Sequence, residues 1–336
     1  MKPIMTDREP SSVGAFRFFS SPLAALRGSA GLGDWLFKTA TLLFALLIAG
    51  LVVMIIIQMA SGSTMSFERF GWNFLWGETW NPVEGREQFG ALAFIYGTVV
   101  SSIIALIIAV PVSIGVAVFL VEHAPRRLSA PISFLVQLLA AIPSVVYGLW
   151  GYFVLGPLLR DHVYPRLQDW FGFLPLFQGE PRQTGMLTAG IILSIMIVPI
   201  VTAVSTDVLR AVSPTQREAA FALGATKWEA TRIMLQNARS GITGAVILGL
   251  GRAVGETMAV TMVIGNRPEI SASLFDSSFT IASAIANEFN EAQTQLHQNA
   301  LVELGLILFV ITFIINALAR LLVWGVTRGQ GKAVHA

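Results

Sequence analysis

The sequence predicts an all-α membrane protein with six transmembrane helices, and three observations carry that reading. Apolar residues make up 54% of the chain and charged residues 12%, against roughly 25% charged in soluble domains, so much of the surface must face lipid. The apolar residues gather into six stretches, near 35–59, 91–121, 131–155, 184–206, 241–265 and 299–325, each long enough for the about 20 helical residues that cross a hydrocarbon core. The stretches are continuous, as from Leu42 to Ile57, whereas strands of a membrane barrel alternate apolar and polar positions over short segments.

The first stretch follows a mixed polar segment, 1–34. That segment is longer than a signal-peptide tail, so the first span is retained and the segment before it is expected to be a flexible cytoplasmic extension. A six-helix domain over 35–327 follows, then a short tail, 328–336. Pro111, Pro143 and Pro199 interrupt spans two, three and four. Each frees a backbone carbonyl, which a membrane tolerates where a neighbouring helix or a wet cavity satisfies it; the bends suit either ordinary packing or a pathway.

Lys and Arg fix the expected orientation. They collect in the N-terminal segment, in 122–130 (Arg126, Arg127), in 207–240 (Arg210, Arg217, Lys227, Arg232, Arg239) and in the tail, while the alternate connections are neutral or acidic. The positive-inside rule then places both termini in the cytoplasm.

The 207–240 connection carries two helix-start signals, Ser213-Pro214-Thr215-Gln216 and Thr226-Lys227-Trp228-Glu229. Each is a hydroxyl followed three residues later by an amide or carboxylate, so two short helices are expected over about 214–238, with Pro214 at the first helical position and Gly224 ending the first helix. The small side chains of Glu218-Ala219-Ala220 onward to Gly224 make that helix a knob that another protein's surface can approach closely.

Span five carries a charged pair. At about 1.5 Å per residue from Gly241, Arg252 lies about 16 Å deep and Glu256 about 6 Å further. Ionised groups at that depth pair or face a cavity, and four residues apart they would share a helix face. A guanidinium fork matches two oxygens of an oxyanion, and Glu256 could accept a hydrogen bond from a protonated one such as phosphate. An ion pair that only fixes packing or holds a gate is the alternative. Gly251 and Gly255 give the same helix a small-residue face for a neighbour.

Other features point away from chemistry. The chain has no cysteine, which excludes disulfides, thiolate metal sites and a cysteine nucleophile. His123, His162, His297 and His335 lie far apart with no metal-ligand spacing, and no metal or other cofactor is expected. A net charge of +2 without a basic face argues against nucleic acid. No GxxxxGK[ST] loop is present, so ATP would have to be bound by a separate chain. Glu303 and His297 are expected at the outer headgroups of span six, and Trp72, Trp76 and Trp80 with Phe67 and Phe70 at the outer interface.

The segment Glu218-Ala219-Ala220, Gly224, Ile233, Leu235 and Gly241-Ile242 resembles the EAA signature of ABC importer permeases, except that Gln236 stands where the family commonly has proline. Two further runs, 141–149 (Ala-Ile-Pro-Ser-Val-Val-Tyr-Gly-Leu) and 251–266 (Gly-Arg-Ala-Val-Gly-Glu-Thr-Met-Ala-Val onward to Ile-Gly-Asn), are similar to the high-affinity phosphate permeases, the second more like PstC than PstA. The resemblance implies a type I ABC importer permease (MetI-like) fold and no enzymatic activity. It implies a heterodimer with a PstA-like subunit, a PstB-like ATPase dimer docking on Glu218, Ala219, Ala220 and Gly224, and delivery by a PstS-like phosphate-binding protein in the bacterial inner membrane. It also places Arg252, Glu256 and Ser144 on the path of inorganic phosphate. The competing readings are a permease for another oxyanion, sulfate or molybdate, and a secondary transporter whose buried pair senses protons.

Overall fold

The computed structural model describes residues 31–331. The expected extension over 1–34 therefore lies, up to residue 30, outside the described residues, as do 332–336 of the tail. Helix α1 (Leu32–Gly62) is apolar without interruption from Leu42 to Ile57; residues up to 57 form a compact unit of their own and the remainder of the chain forms a second.

In the second unit the chain turns through α2 (Thr64–Phe70) and α3 (Asn73–Trp76) into the long α4 (Leu92–Val118), which ends in a π-helical turn, Phe119–His123. Pro125 stops it: Ala124, the residue before the proline, is driven to extended backbone with ψ 126°. Helix α5 (Arg126–Ala140) leads to a break over 141–143. Beyond it α6 (Ser144–Trp150) continues through α7 (Gly156–Leu158), with a π-helical turn on either side of α7, to α8 (Tyr164–Phe171). Next come α9 (Met186–Arg210), α10 (Pro214–Ala222), α11 (Lys227–Gly255), α12 (Met258–Val263), α13 (Ile281–Glu288) and α14 (Gln295–Gly331).

Helix α9 is the hub, with α4, α5, α11 and α12 packed around it. Small residues set the approach: a Cβ on Gly190 would lie 2.5 Å from Ile104 of α4, and one on Gly249 2.7 Å from Val201 of α9. Lipid tails are as apolar as leucine, so shape fit of this kind drives association within a membrane. The main core joins Ala105 and Ala109 of α4, Ile192 and Ile197 of α9, Ala253 of α11, Val260 of α12 and Tyr147 of α6.

Among the described residues four helices are long and apolar enough to cross a bilayer, over 33–62, 92–123, 186–210 and 295–321, and a bent pair brings the number to five. The spans differ from the expected ones in two places. Span three is not one helix: α5 and the α6–α8 run meet at 89°, because Pro143 cannot donate to the helix. Span five is not one helix either. Its residues are divided between α11, which stops at Gly255, and α12, with Glu256 in extended backbone (φ −71°, ψ 127°) between them. Pro111 and Pro199 stay inside continuous helices, and Ser113 of α4 donates to the Val198 carbonyl beside Pro199 at 3.2 Å.

The connections sort to two ends. At the acidic end, Trp80 donates to Glu288 at 2.7 Å, Glu288 also bonds His297 at 3.0 Å, and Phe89 stacks on His297. His297 and Glu303 are each only 6% exposed, so both lie inside the protein and not at the headgroups. Trp80 likewise turns into this cluster, while Trp72 and Trp76 are exposed. At the basic end lie 119–130 and 207–230, where Arg210 reaches Ser129.

Candidate functional site

Both runs that resemble phosphate permeases contain a helix break, and the half-helices beyond the breaks pack face to face. A Cβ on Gly148 of α6 would meet Met262 Sδ at 2.6 Å and the Ala259 backbone of α12 at 3.0 Å, so only glycine permits this approach. The first break repairs itself. Pro143 lacks the N–H that would bond the Leu139 carbonyl; Tyr147, four residues on, donates its hydroxyl to that carbonyl at 2.8 Å. Tyr147 is buried and within electrostatic reach of Arg252, tying the break in span three to the charge in span five. Its spacing from Pro143 was the signal that reading the sequence alone passed over.

Arg252 lies in the last turn of α11. Its Nε is buried without a hydrogen-bond partner, and no ion pair to it exists among the described residues. Contrary to expectation, Glu256 does not share its helix face, because the helix ends at Gly255; Glu256 stands in the backbone break itself, and among the described residues no ion pair joins the two. The reason is tertiary: the residues after 257 are drawn onto α6 and α9, which straight continuation of α11 would not allow. Ser144 opens α6 directly after Pro143, one turn before Tyr147. Beyond α12 the chain turns sharply at Gly265 (φ 97°) and Asn266 (φ 53°). Asn266 donates to the Thr261 carbonyl at 2.8 Å, leaving its own Oδ1 buried and without a partner.

The 211–226 segment forms the expected first helix. Ser213 occupies the cap position of α10 but bonds Thr215 and not the backbone, so the first capping box is not formed. The second is complete at Thr226 and Glu229. Gly224 has φ 82°, a left-handed conformation that glycine adopts without strain. Around it the Ala225 N–H bonds the Ala220 carbonyl and the Gly224 N–H the Phe221 carbonyl, which closes α10 as a Schellman motif. Ala220 is buried, Glu218 and Ala219 are exposed, and Leu223 at 89% and Trp228 at 71% project beside them. The second helix is not short: α11 runs unbroken from Lys227 into the bilayer stretch, since Gln236, unlike proline, keeps its N–H and continues the helix.

The family model for binding-protein-dependent transport system inner membrane components matches residues 109–328. Curated relatives include the phosphate transport system permease protein PstC of Pasteurella multocida, 47% identical over 304 residues (89% of this chain, 94% of the relative). PstC of Haemophilus influenzae is 49% identical over 302 residues (88% and 95%), and PstC of Mesorhizobium japonicum 49% over 294 residues (86% and 89%). Among solved structures, an inward-facing MetNI methionine ABC transporter aligns at 18% identity and TM-score 0.47 over 70% of this chain and 94% of that one. The chain thus belongs to the binding-protein-dependent ABC transporter permeases, within the PstC family of phosphate transport system permeases.

Proposed function

We propose that the chain is one half of the translocation pathway of an ATP-driven phosphate importer. Arg252 supplies the charge that attracts the anion, and Glu256 and Ser144 flank the route. The observation that supports this most is a half-buried guanidinium with no hydrogen-bond or ion-pair partner among the described residues, set where two helix breaks adjoin. An arginine that fixed packing alone would be expected to spend its donors on the protein, whereas a fork of free donors fits two phosphate oxygens. Glu256, unbonded to Arg252, remains available to accept a hydrogen bond from the protonated oxygen that phosphate carries near neutral pH and sulfate lacks.

In this reading α10 is the docking helix for a separate PstB-like ATPase dimer, with Glu218, Ala219, Ala220 and Gly224 at its contact. The other half of the pathway is a PstA-like subunit, a PstS-like protein delivers phosphate, and both termini lie in the cytoplasm of a bacterial inner membrane. The exposed Leu223 and Trp228 beside Glu218 support docking, because large apolar side chains clustered on a polar loop mark interaction surfaces.

The test is labelled phosphate uptake in cells lacking the gene and complemented with wild type or Arg252→Gln, with and without excess sulfate. The variant should lose uptake by about tenfold or more, the scale of a charge-assisted hydrogen bond, and sulfate should not compete. Full uptake by the variant would remove Arg252 from the path. Competition by sulfate would instead favour a general oxyanion permease.

A further inference from the structure

Neighbouring residues of α10 reach to different spans. Gln216 accepts a hydrogen bond from Asn237 of α11 at 2.7 Å, whereas Arg217 Nη1 donates to Glu122 Oε1 at 3.0 Å in the π-helical turn that ends the α4 span. The Glu122 side chain is only 7% exposed. A carboxylate so far from water is costly unless paired, and Arg217 provides the pairing. The guanidinium also lies 5.6 Å from the centre of the Phe221 ring, so it is held between its own helix and the span. Glu122 faces α10 because the π turn and the Pro125 stop end α4 there.

Packing does not bridge the same gap. A cavity of about 460 Å³ opens between α10 and the span ends, bordered by Val121, Leu209, Val212, Ile233 and Met234 as well as by the ion pair itself. Where side chains do not interlock, displacement of one helix passes to the other through the bonds that cross the space. A long-armed ion pair keeps hold over a small shift that would separate apolar surfaces.

We propose that Arg217 is a positioning residue that carries movement of α10 to the end of the α4 span through Glu122. The docking helix then drives two spans at once: α11 through the Gln216–Asn237 bond and its close packing, and α4 through one ion pair. This rests on the reading of α10 as the ATPase-docking helix.

The measurement is phosphate moved per ATP hydrolysed by the purified complete complex in proteoliposomes, a ratio that a merely stabilising ion pair would not change. Arg217→Met leaves the buried Glu122 carboxylate unpaired, so the ratio is taken on the folded, purified complex, and the double variant Arg217→Met with Glu122→Gln, which removes the charge, should show the same fall in ratio. Arg217→Met should lower the ratio by about fivefold or more, the lower bound of ordinary coupling energies, while ATP hydrolysis persists. Arg217→Lys should keep most of it. The exchanged pair Glu122→Arg with Arg217→Glu should recover part of the loss of Arg217→Glu alone. A wild-type ratio in Arg217→Met, or equal loss in Arg217→Lys, overturns the proposal. Glu218→Lys separates the two readings. If it abolishes uptake while Arg217→Met transports at the wild-type ratio, docking stands and the ion-pair route falls; if it leaves uptake intact, α10 is not the docking helix and both fall.

Discussion

The two ends of the second unit are built on opposite plans. At the acidic end, side chains from three connections close on one another: Trp80, Glu288, His297 and Phe89 form one cluster. Tyr96 bonds the Ser271 carbonyl, and Ser273 that of Gln178. Thr294 donates to Glu87 at 2.6 Å. At the basic end, α10 packs on α11 and is tied to the spans by two polar side-chain contacts beside a cavity, and presents Leu223 and Trp228 to the surroundings. The first surface is cross-linked within the chain, although Trp72 and Trp76 project from it and a cavity of about 530 Å³ opens beside Glu288 and His297; the second has far fewer ties of its own and exposed apolar side chains beside α10. On the proposed reading of α10 as a docking helix, such a division suits a transporter whose docking surface moves against a part that holds its shape.

Substitutions at the two ends should therefore fail in different ways. The largest effect is expected from Gly97→Ala, where the new Cβ would lie 2.2 Å from the Phe279 backbone carbonyl. Backbone cannot step aside as a flexible side chain can, so the cost should reach or exceed the upper end of the about 1–3 kcal/mol typical of overpacking. A sharp fall in folded yield and in the unfolding temperature of the detergent-solubilised protein would show it. Glu288→Gln comes next: it weakens the bonds to both Trp80 and His297, and about 1–3 kcal/mol should be lost from the unfolding free energy. If that variant unfolded like wild type, the acidic end would be no more self-contained than the basic one.

At the basic end, Gly224→Ala should leave global unfolding nearly unchanged. Nothing lies within 4 Å of the new Cβ, and the left-handed backbone costs about 1–2 kcal/mol, confined to the end of α10; faster amide hydrogen exchange at 223–225 is the readout. The smallest effect belongs to Glu229. The Thr226 backbone N–H, and after it the Thr226 hydroxyl, bond its carboxylate and hold its pKa below the ordinary value. Stability from a depressed carboxylate is present above the unfolded value and lost as pH falls through the folded one. Below about pH 4, near the usual glutamate pKa, the first turn of α11 should fray, seen as faster exchange at 227–230 while α9 remains protected.

Much of this was legible in the sequence because it rests on local rules. Apolar runs of bilayer length gave the long helices, the hydroxyl of Thr226 with Glu229 gave the start of α11, Gly224 gave the end of α10, and Pro143 marked a bend in span three, short of the 89° break found there. What was not legible depends on partners distant in sequence. Nothing between Gly255 and Met258 forbids a helix; the chain leaves it because α12 fits α6 and α9 better than a straight continuation would. His297 and Glu303 look like headgroup residues in one dimension, and only the fold brings Glu288 and Phe89 to the one and Ser66 to the other. Glu122 gave no signal at all, since the residue that answers it is 95 positions away.

The uninterrupted course of α11 has a mechanical meaning. Its 29 residues, at 1.5 Å each, make a rod about 43 Å long, with the Thr226 cap at one tip and the Gly255 break at the other. Pivoted at the cap, a tilt of about 5° would sweep the far tip through about 4 Å, by the same rise per residue. That is more than the whole length of a hydrogen bond, so on the proposed function a small rotation at α10 is enough to bring the Arg252 fork within bonding distance of an anion or to withdraw it.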